Sequence, residues 1–447
     1  MAFLLLLAAA VSAAAPLRIA HFQADVTPPL GTPLCFALVQ PGSRVDHPLT
    51  ARGIVLHGAG KPVVLVAVDW VGIGNEGHDR WRAALAEAAG TTFDRVSVHT
   101  LHQHDAPGYD ETAEKLAAEV GLSSKLFDVV SAREAIARTA AALRAAKAVP
   151  VTHIGAGKAK VEQVASNRRI LGPDGKVRYG RMSSSRIPEA VAAPEGVIDP
   201  YVRILSFWNS DKPVVSLSYY TTHPQSHYGK GGISWEFVGM ARAGRERAVP
   251  GAAHIHFNGA SGNVAAGKYN DGSAERRPIL AARLAEGMRK AWENTRKSPV
   301  TASDVEWRTE PVALPVTGRN TPESLHAALN DPARPVPQRL SAARHLAFHN
   351  LRGGGRTINL NLLRIGGAYV LHMPGELFVE YQLAAQSMLA AGELMMAAYG
   401  DYGPGYIGTR AAYPQGGYET GDVSRTAPEV EGVLMSAMRK LLRSPAP

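Results

Sequence analysis

Val63-Val64-Leu65-Val66-Ala67-Val68-Asp69-Trp70 is apolar until it meets an acid. A run with no polar face makes a strand buried on both sides of a sheet. Ala51 to Gly58 reads as the strand before it, joined through Gly58-Ala59-Gly60-Lys61. Beyond Asp69, which marks a candidate site edge, Glu76 to Ala89 has helical composition and Phe93 to Thr100 is again a strand. Strand, helix, strand implies a βαβ crossover and a mixed or parallel sheet.

The same reading carries outward. Ile19 to Pro29 begins as an alternating strand stopped by two prolines, and Val151 to Val164 is a further strand. Tyr201–Trp208 pairs with Val214–Thr221, and Thr357–Ile365 pairs with Ala368–Met373 through Gly366-Gly367, while Ala253–Phe257 stands alone. Helices are predicted over 123–146, 235–247, 279–295, 378–391 and 428–442. Leu171 to Pro194 reads as loop, and Thr317 to Asn350 as part loop and part helix. With no internal repeat and no clean linker, the expectation is an α/β fold: a single large mixed-sheet domain with helices.

The chain has 447 residues, 45% of them hydrophobic and 19% charged, which describes a globular protein and excludes a disordered one. The net charge of +9 is scattered. The densest basic clusters, Ala241–Arg247 and Ala274–Arg277, read as solvated helix faces, and no aromatics interleave with basic runs, so nucleic acid is not an expected partner. A mildly basic surface is compatible with anionic substrates and with peripheral contact to a membrane. A single cysteine, Cys35, excludes an internal disulfide. Met1 to Ala15 has a short apolar core followed by small residues, the pattern of a cleaved export signal, although the basic start is missing. No other segment is long and apolar enough to span a bilayer, so the mature chain is expected to be exported and soluble, periplasmic or secreted.

Three apolar strands end in loops that bear histidine or glutamate. His102 and His104 follow the strand ending near Thr100, His223 follows Thr221, and Glu376 follows Met373. In an α/β sheet such loops converge on the ligand crevice. Two imidazoles and a carboxylate make a first shell for a hydrolytic zinc, with a position open to water.

Those stretches, with Asp25-Val26-Thr27-Pro28-Pro29, Leu101 to Gly108, His223-Pro224, Pro374-Gly375-Glu376 and Gly405-Tyr406-Ile407-Gly408-Thr409, resemble the neutral (alkaline, non-lysosomal) ceramidase family. The order and approximate spacing hold from about residue 19 to 424. The resemblance implies one Zn2+ held by His102, His223, Glu376 and Tyr406, and hydrolysis of an N-acyl amide in lipid metabolism. It places the family's second histidine on His104, its arginine after an asparagine on Arg168, and a substrate-side tyrosine on Tyr418. His104 suits proton transfer to a leaving amine, and Arg168 or Tyr418 suits a developing oxyanion. The implied catalytic domain is 16–447, and the family's following β-sandwich domain has no counterpart in these residues.

Two departures bear on mechanism. Where the family has Gly-Asp-Val-Ser-Pro, this chain has Gly262-Asn263-Val264-Ala265-Ala266, so the serine is Ala265. Attack by zinc-activated water is then expected, with Gly262 to Ala266 as a backbone wall or hydrogen-bond donor. Lys268, Tyr269 and Asp271 follow this altered loop and are candidates for substrate contact, while Asp105 either orients a histidine or faces solvent. The substrate is a small or lipid-like amide. A metal-dependent esterase, a sugar-directed hydrolase on the same scaffold and a silent binding protein remain as alternatives. The oligomeric state is not legible.

Overall fold

The computed structural model describes residues 16–442; the segment read as an export signal, 1–15, lies outside the described residues. β1 (Arg18–Asp25), β2 (Thr50–Gly58) and β3 (Gly60–Val68) are successive antiparallel neighbours. Helix α1 (Asn75–Ala89) then crosses over, and β4 (Val96–Thr100) lies parallel to β3, as the sequence predicts. α2 (Glu111–Glu119) and α3 (Val129–Ala145) lead to a short edge strand, β5 (Val149–Pro150), beside β1.

The same arrangement then recurs. β6 (His153–Lys160), β7 (Tyr201–Asn209) and β8 (Lys212–Tyr220) are antiparallel neighbours. α4 (Glu236–Ala248) crosses to β9 (Ala253–Asn258), parallel to β8, and α5 (Arg276–Glu293) leads to the edge strand β10 (Arg296–Pro299) beside β6. A third sheet starts with β11 (Val305–Val312), and a helical pair, α6 (Pro322–Asn330) and α7 (Val336–Gly353), precedes β12 (Ile358–Ile365) and β13 (Ala368–His372). α8 (Val379–Ser387) crosses to β14 (Glu393–Ala397), parallel to β13, and α9 (Val430–Leu442) closes the unit. Three antiparallel strands, a crossover helix and a parallel fourth strand therefore occur three times, with an edge strand added in the first two sheets, although the sequence shows no repeat.

Alternation along the strands explains the packing. Leu65, Leu217 and Val370 point from the three sheets into one shared core. Their neighbours Val64 and Val66 pack outward on Trp81 and Ile136 of the helices, as Leu371 does on Leu434 and Met438 of α9. Each such side chain, buried fully, contributes roughly 1.5–3 kcal/mol. Sheets covered on both faces need strands with no polar side, which is why the opening run is uniformly apolar.

Three parallel strand pairs thus end at the same side of the core. Just beyond them the chain forms short parallel ladders, Gly72–Ile73 with Gly108–Tyr109 and Glu376–Leu377 with Tyr406–Ile407. The second unit makes the matching contact when the His223 N–H donates to Val264 O at 2.9 Å.

The structure corrects several expectations. Val305–Val312 and Glu393–Ala397 are strands that the sequence reading missed, and the loop assigned to Leu171–Pro194 contains a strand at Val177–Gly180 and a turn of helix at Pro188–Ala192. The helix predicted from Ser123 starts at Val129, capped by the Asp128 side chain on Ser131 N. The basic clusters are not simply solvated faces. Arg242 is buried against Asp69, with Nη1–Oδ1 and Nη2–Oδ2 both 2.8 Å, and Arg277 pairs with Glu236 and Asp105. Asp69 therefore ties β3 to α4 rather than edging a site. Among the described residues no helix is long and apolar enough to cross a membrane.

Candidate metal centre

The strand-end loops bring His102, His223 and Glu376 together, all three buried. His102 adopts φ +64°, a left-handed conformation that costs a non-glycine residue energy and is kept where the surroundings enforce it. Its main-chain N–H donates to Trp70 O at 2.9 Å, and its carbonyl accepts from Gln225 Nε2 at 2.6 Å. Glu376 follows Gly375, whose φ of +58° and crowding against Gly405 O leave no room for a side chain. Gly262 is equally constrained, since a Cβ there would lie 2.2 Å from Glu376 O.

Hydrogen bonds fix which ring nitrogens face inward. His102 Nδ1 donates to Val71 O at 2.5 Å, and His223 Nδ1 to Ser261 O at 2.6 Å. Both Nε2 atoms are then acceptors, and both face the same oxygen, Glu376 Oε2, at 3.2 Å from His102 and 2.8 Å from His223. The other carboxylate oxygen accepts from the Tyr402 hydroxyl. Burial pushes the Glu376 carboxyl up, but the two imidazoles outweigh it and hold it well below the usual carboxylate range. Burial lowers the pKa of His223. Three ligand atoms within 4.8 Å of one another repel through their lone pairs unless a cation or proton lies between them. The donor set fits zinc, and the backbone carbonyls supply the outer contacts that orient zinc-binding histidines.

Tyr406 joins this group. Its hydroxyl lies 3.2 Å from His223 Nε2 and accepts from Arg168 Nη1 at 3.0 Å. Burial pushes the phenol well above its ordinary range, against the pull of Arg168, so a phenolate here needs a further cation. Arg168 is buried and held by Glu419, with Nε–Oε1 3.1 Å, while Arg169 takes the other oxygen of the same carboxylate at 3.0 Å. His104 stands edge-on to His102 and to Tyr228, with ring centroids 5.2 and 4.8 Å apart. Its ring nitrogens have no hydrogen-bond partner among the described residues, and burial, followed by the neighbouring histidines, lowers its pKa far below the usual imidazole value. Tyr418 lies half-exposed at the lip, edge-on to Tyr406 at 5.7 Å, with its phenol pushed up to about 12 by burial. His102, His104, Glu376, Tyr406 and Tyr418 all line one cleft.

No family model and no curated protein matches the sequence. Solved structures do match. The neutral ceramidase from Pseudomonas aeruginosa superposes with a TM-score of 0.71 at 18% identity, over 96% of this chain and 74% of that one. A ceramidase complexed with C2 gives 0.69 at 17% identity, over 96% and 75%. The chain has the neutral ceramidase fold.

His223 and Arg168 lie beside the cleft residues, His223 against Glu376 and Arg168 against Tyr406, whereas the other candidates read from sequence lie differently from expectation. Asp105 neither orients a histidine nor faces solvent: it is buried, accepting from Gly229 N at 2.8 Å and pairing with Arg277. Lys268 and Tyr269 point away from the cleft. The lysine donates to Val191 O and Ala193 O, the tyrosine to Glu195. Asp271 pairs with Arg276. In the altered loop, the Gly262 and Val264 amides are spent on Leu377 O and Ser261 O, so they are not free donors. Ser261 shares a 2.7 Å hydrogen bond with the Tyr399 hydroxyl. Tyr402, Tyr399 and Glu419 support the centre without having been read from sequence. The density of tyrosine and glycine from Tyr399 to Thr420 was the only signal for them.

Proposed function

We propose that the chain is an exported hydrolase that uses a metal, zinc, to cleave the amide of a ceramide-like N-acyl substrate, with residues 16–447 as its catalytic domain. The observation that carries the proposal is the meeting of two imidazole Nε2 atoms on one Glu376 oxygen beside Tyr406. The fold shared with ceramidases supplies the substrate class. Zinc held by His102, His223, Glu376 and Tyr406 would polarise the scissile carbonyl and make water ionise near neutral pH. His104, neutral and with free ring nitrogens, accepts a proton from the attacking water and passes it to the leaving nitrogen. The C–N bond then breaks to give a carboxylic acid and an amine. Arg168, clamped by Glu419, and the Tyr418 hydroxyl stabilise charge on the carbonyl oxygen. Water is the nucleophile because Ala265 has no hydroxyl and that of Ser261 is bonded to Tyr399. Leu38, exposed at the cleft mouth, suits a lipid-like acyl chain or contact with a membrane surface.

The test is turnover of matched N-acyl amides and esters by the full-length protein. Amide cleavage that a chelator stops, added zinc restores and His102→Ala abolishes is expected. Activity indifferent to the chelator, or confined to esters, would overturn the proposal.

A further inference from the structure

The same cleft carries two arginines that pair with no acid among the described residues. Arg344, on α7, stacks its guanidinium 3.7 Å above the Phe36 ring and 5.7 Å from that of Tyr402, and makes no hydrogen bond or ion pair among the described residues. Arg425 is only 4% exposed. Its Nη1 donates to Gly403 O at 2.9 Å, and its Nε is buried with no partner. Both line the cleft with His102, His104 and Glu376.

Some buried arginines of this protein are neutralised by an acid, Arg242 by Asp69, Arg168 by Glu419 and Arg203 by Asp199, and Arg181 has five backbone carbonyls in place of one, whereas the Arg425 guanidinium has one carbonyl. A buried cation left unpaired is costly, so an acid at hand would be expected to take it. None does so. Asp422, on the cleft rim, is exposed and pairs with neither arginine; Glu376 is engaged by Tyr402 and the imidazoles; Asp110 accepts from Asn75 and Ala113 N. Burial, and then the charge of Arg344, draws the Arg425 pKa down to about 9, which leaves it cationic at neutral pH.

The platform is built at a cost. Cys35, Phe36 and Ala37 have φ of 47°, 58° and 61°, three consecutive left-handed non-glycine residues. That turn lays Phe36 on Tyr402, with centroids 4.9 Å apart and planes at 22°, and Tyr402 in turn donates to Glu376. Phe36 and Tyr402 therefore form a stack that leads from the Arg344 guanidinium to Glu376, and Arg425 lines the same cleft.

We propose that the substrate of this centre carries an anionic group close to the scissile amide, and that Arg344 and Arg425 receive it. This rests on the amide-hydrolase reading and narrows it to acidic amides such as N-acyl amino acids, with a carboxylate a few bonds from the amide nitrogen. N-acyl sulfonates and phosphates share the chemistry and differ in geometry.

The test compares N-acylglycine with its uncharged glycinamide at the same acyl length, alongside the N-acyl taurine and N-acyl phosphoethanolamine, on the full-length zinc-loaded protein. The wild type is expected to favour the anionic amides in kcat/KM by roughly ten- to a hundredfold, the range of a hydrogen-bonded charge pair, chiefly through KM. Which acid is best identifies the group. Arg344→Gln should bring the ratio of anionic to neutral turnover close to one, Arg344→Lys should keep part of it, and Arg344→Glu should reverse it. Arg344 is partly buried but holds no hydrogen bond among the described residues, so these variants are expected to fold, checked by thermal melting. Equal turnover of charged and neutral amides, or a ratio that Arg344→Gln leaves unchanged, would overturn the anion site while the amide-hydrolase reading stands. If no amide is cleaved, that reading fails. Calorimetric binding of N-acetylglycinate against N-acetylglycinamide then decides the anion site by itself: preference for the anion that Arg344→Gln removes supports it, and no preference ends it.

Discussion

Tyr402 touches no substrate in this account, yet it decides which Glu376 oxygen meets the histidines. Its hydroxyl occupies Oε1 and leaves Oε2 to both Nε2 atoms. Tyr402→Phe should weaken zinc binding by about 10–100-fold, the usual cost of losing a hydrogen bond that orients a ligand, read by competition with a chromogenic chelator. Unchanged affinity would show that Glu376 is placed by its backbone alone. The difference between Glu376 and Tyr402 is also the difference between what the sequence disclosed and what it did not. His102, His223 and Glu376 were legible because each sits a few residues past an apolar strand, whose end faces the crevice. Tyr406 was legible only through its motif. Tyr402, Glu419, Arg344 and Arg425 act on partners distant in the chain, and no local pattern marks them. Asp69 and Asp105 misled for the same reason: a carboxylate at a strand end suggests a site until its arginine is known, and Arg242 and Arg277 lie more than a hundred residues away.

Among elements, β3 and α4 belong to different repeats and are joined by Asp69–Arg242. Removing one partner of a buried pair strands the other charge, so Asp69→Asn should cost about 3–5 kcal/mol in denaturant unfolding. A loss within the error of the method would show that the pair contributes nothing net. The start of α2 supplies a pH test. Glu111 accepts from Arg80, Tyr109 and Arg133; burial raises its pKa, but these hydrogen bonds prevail and bring it from 4.5 to about 2. A depressed carboxylate contributes stability that is complete above its unfolded pKa and lost as pH falls through the folded one. The stability gap between wild type and Glu111→Gln should therefore shrink from about pH 4.5 to about pH 2 in urea melts at each pH. A constant gap would contradict the assignment. The elements missed at the sequence level share a cause. β11 reads Val-Glu-Trp-Arg-Thr-Glu-Pro-Val, half-buried along most of its length and carrying charges and a proline that argue against a strand. β14 begins six residues after α8 ends, so the helical pattern was carried too far.

At the scale of the molecule, three sheets of one topology surround a shared core, and each contributes to the centre from the ends of its parallel strands. His102 comes from the first unit, His223 from the second, and Glu376 with Tyr406 from the third. That arrangement was invisible in the sequence, because the topology recurs while the residues, loops and insertions do not. The βαβ crossover and the α/β class were legible because a strand buried on both faces has only one composition. A metal shared by three units binds the folded chain alone, so it should stabilise the whole molecule, by about 2.7 kcal/mol at a hundredfold excess over Kd. Stripping zinc should lower the melting temperature of the wild type and leave that of His223→Ala almost unmoved. The most direct measurement is the zinc content of the purified full-length protein, determined together with its amide hydrolysis, in the wild type, His102→Ala and His223→Ala. The account predicts one zinc per wild-type chain, with zinc and amide turnover lost together in both variants. A wild type that binds no zinc when it is supplied, or variants that hydrolyse the amide as before, would contradict it.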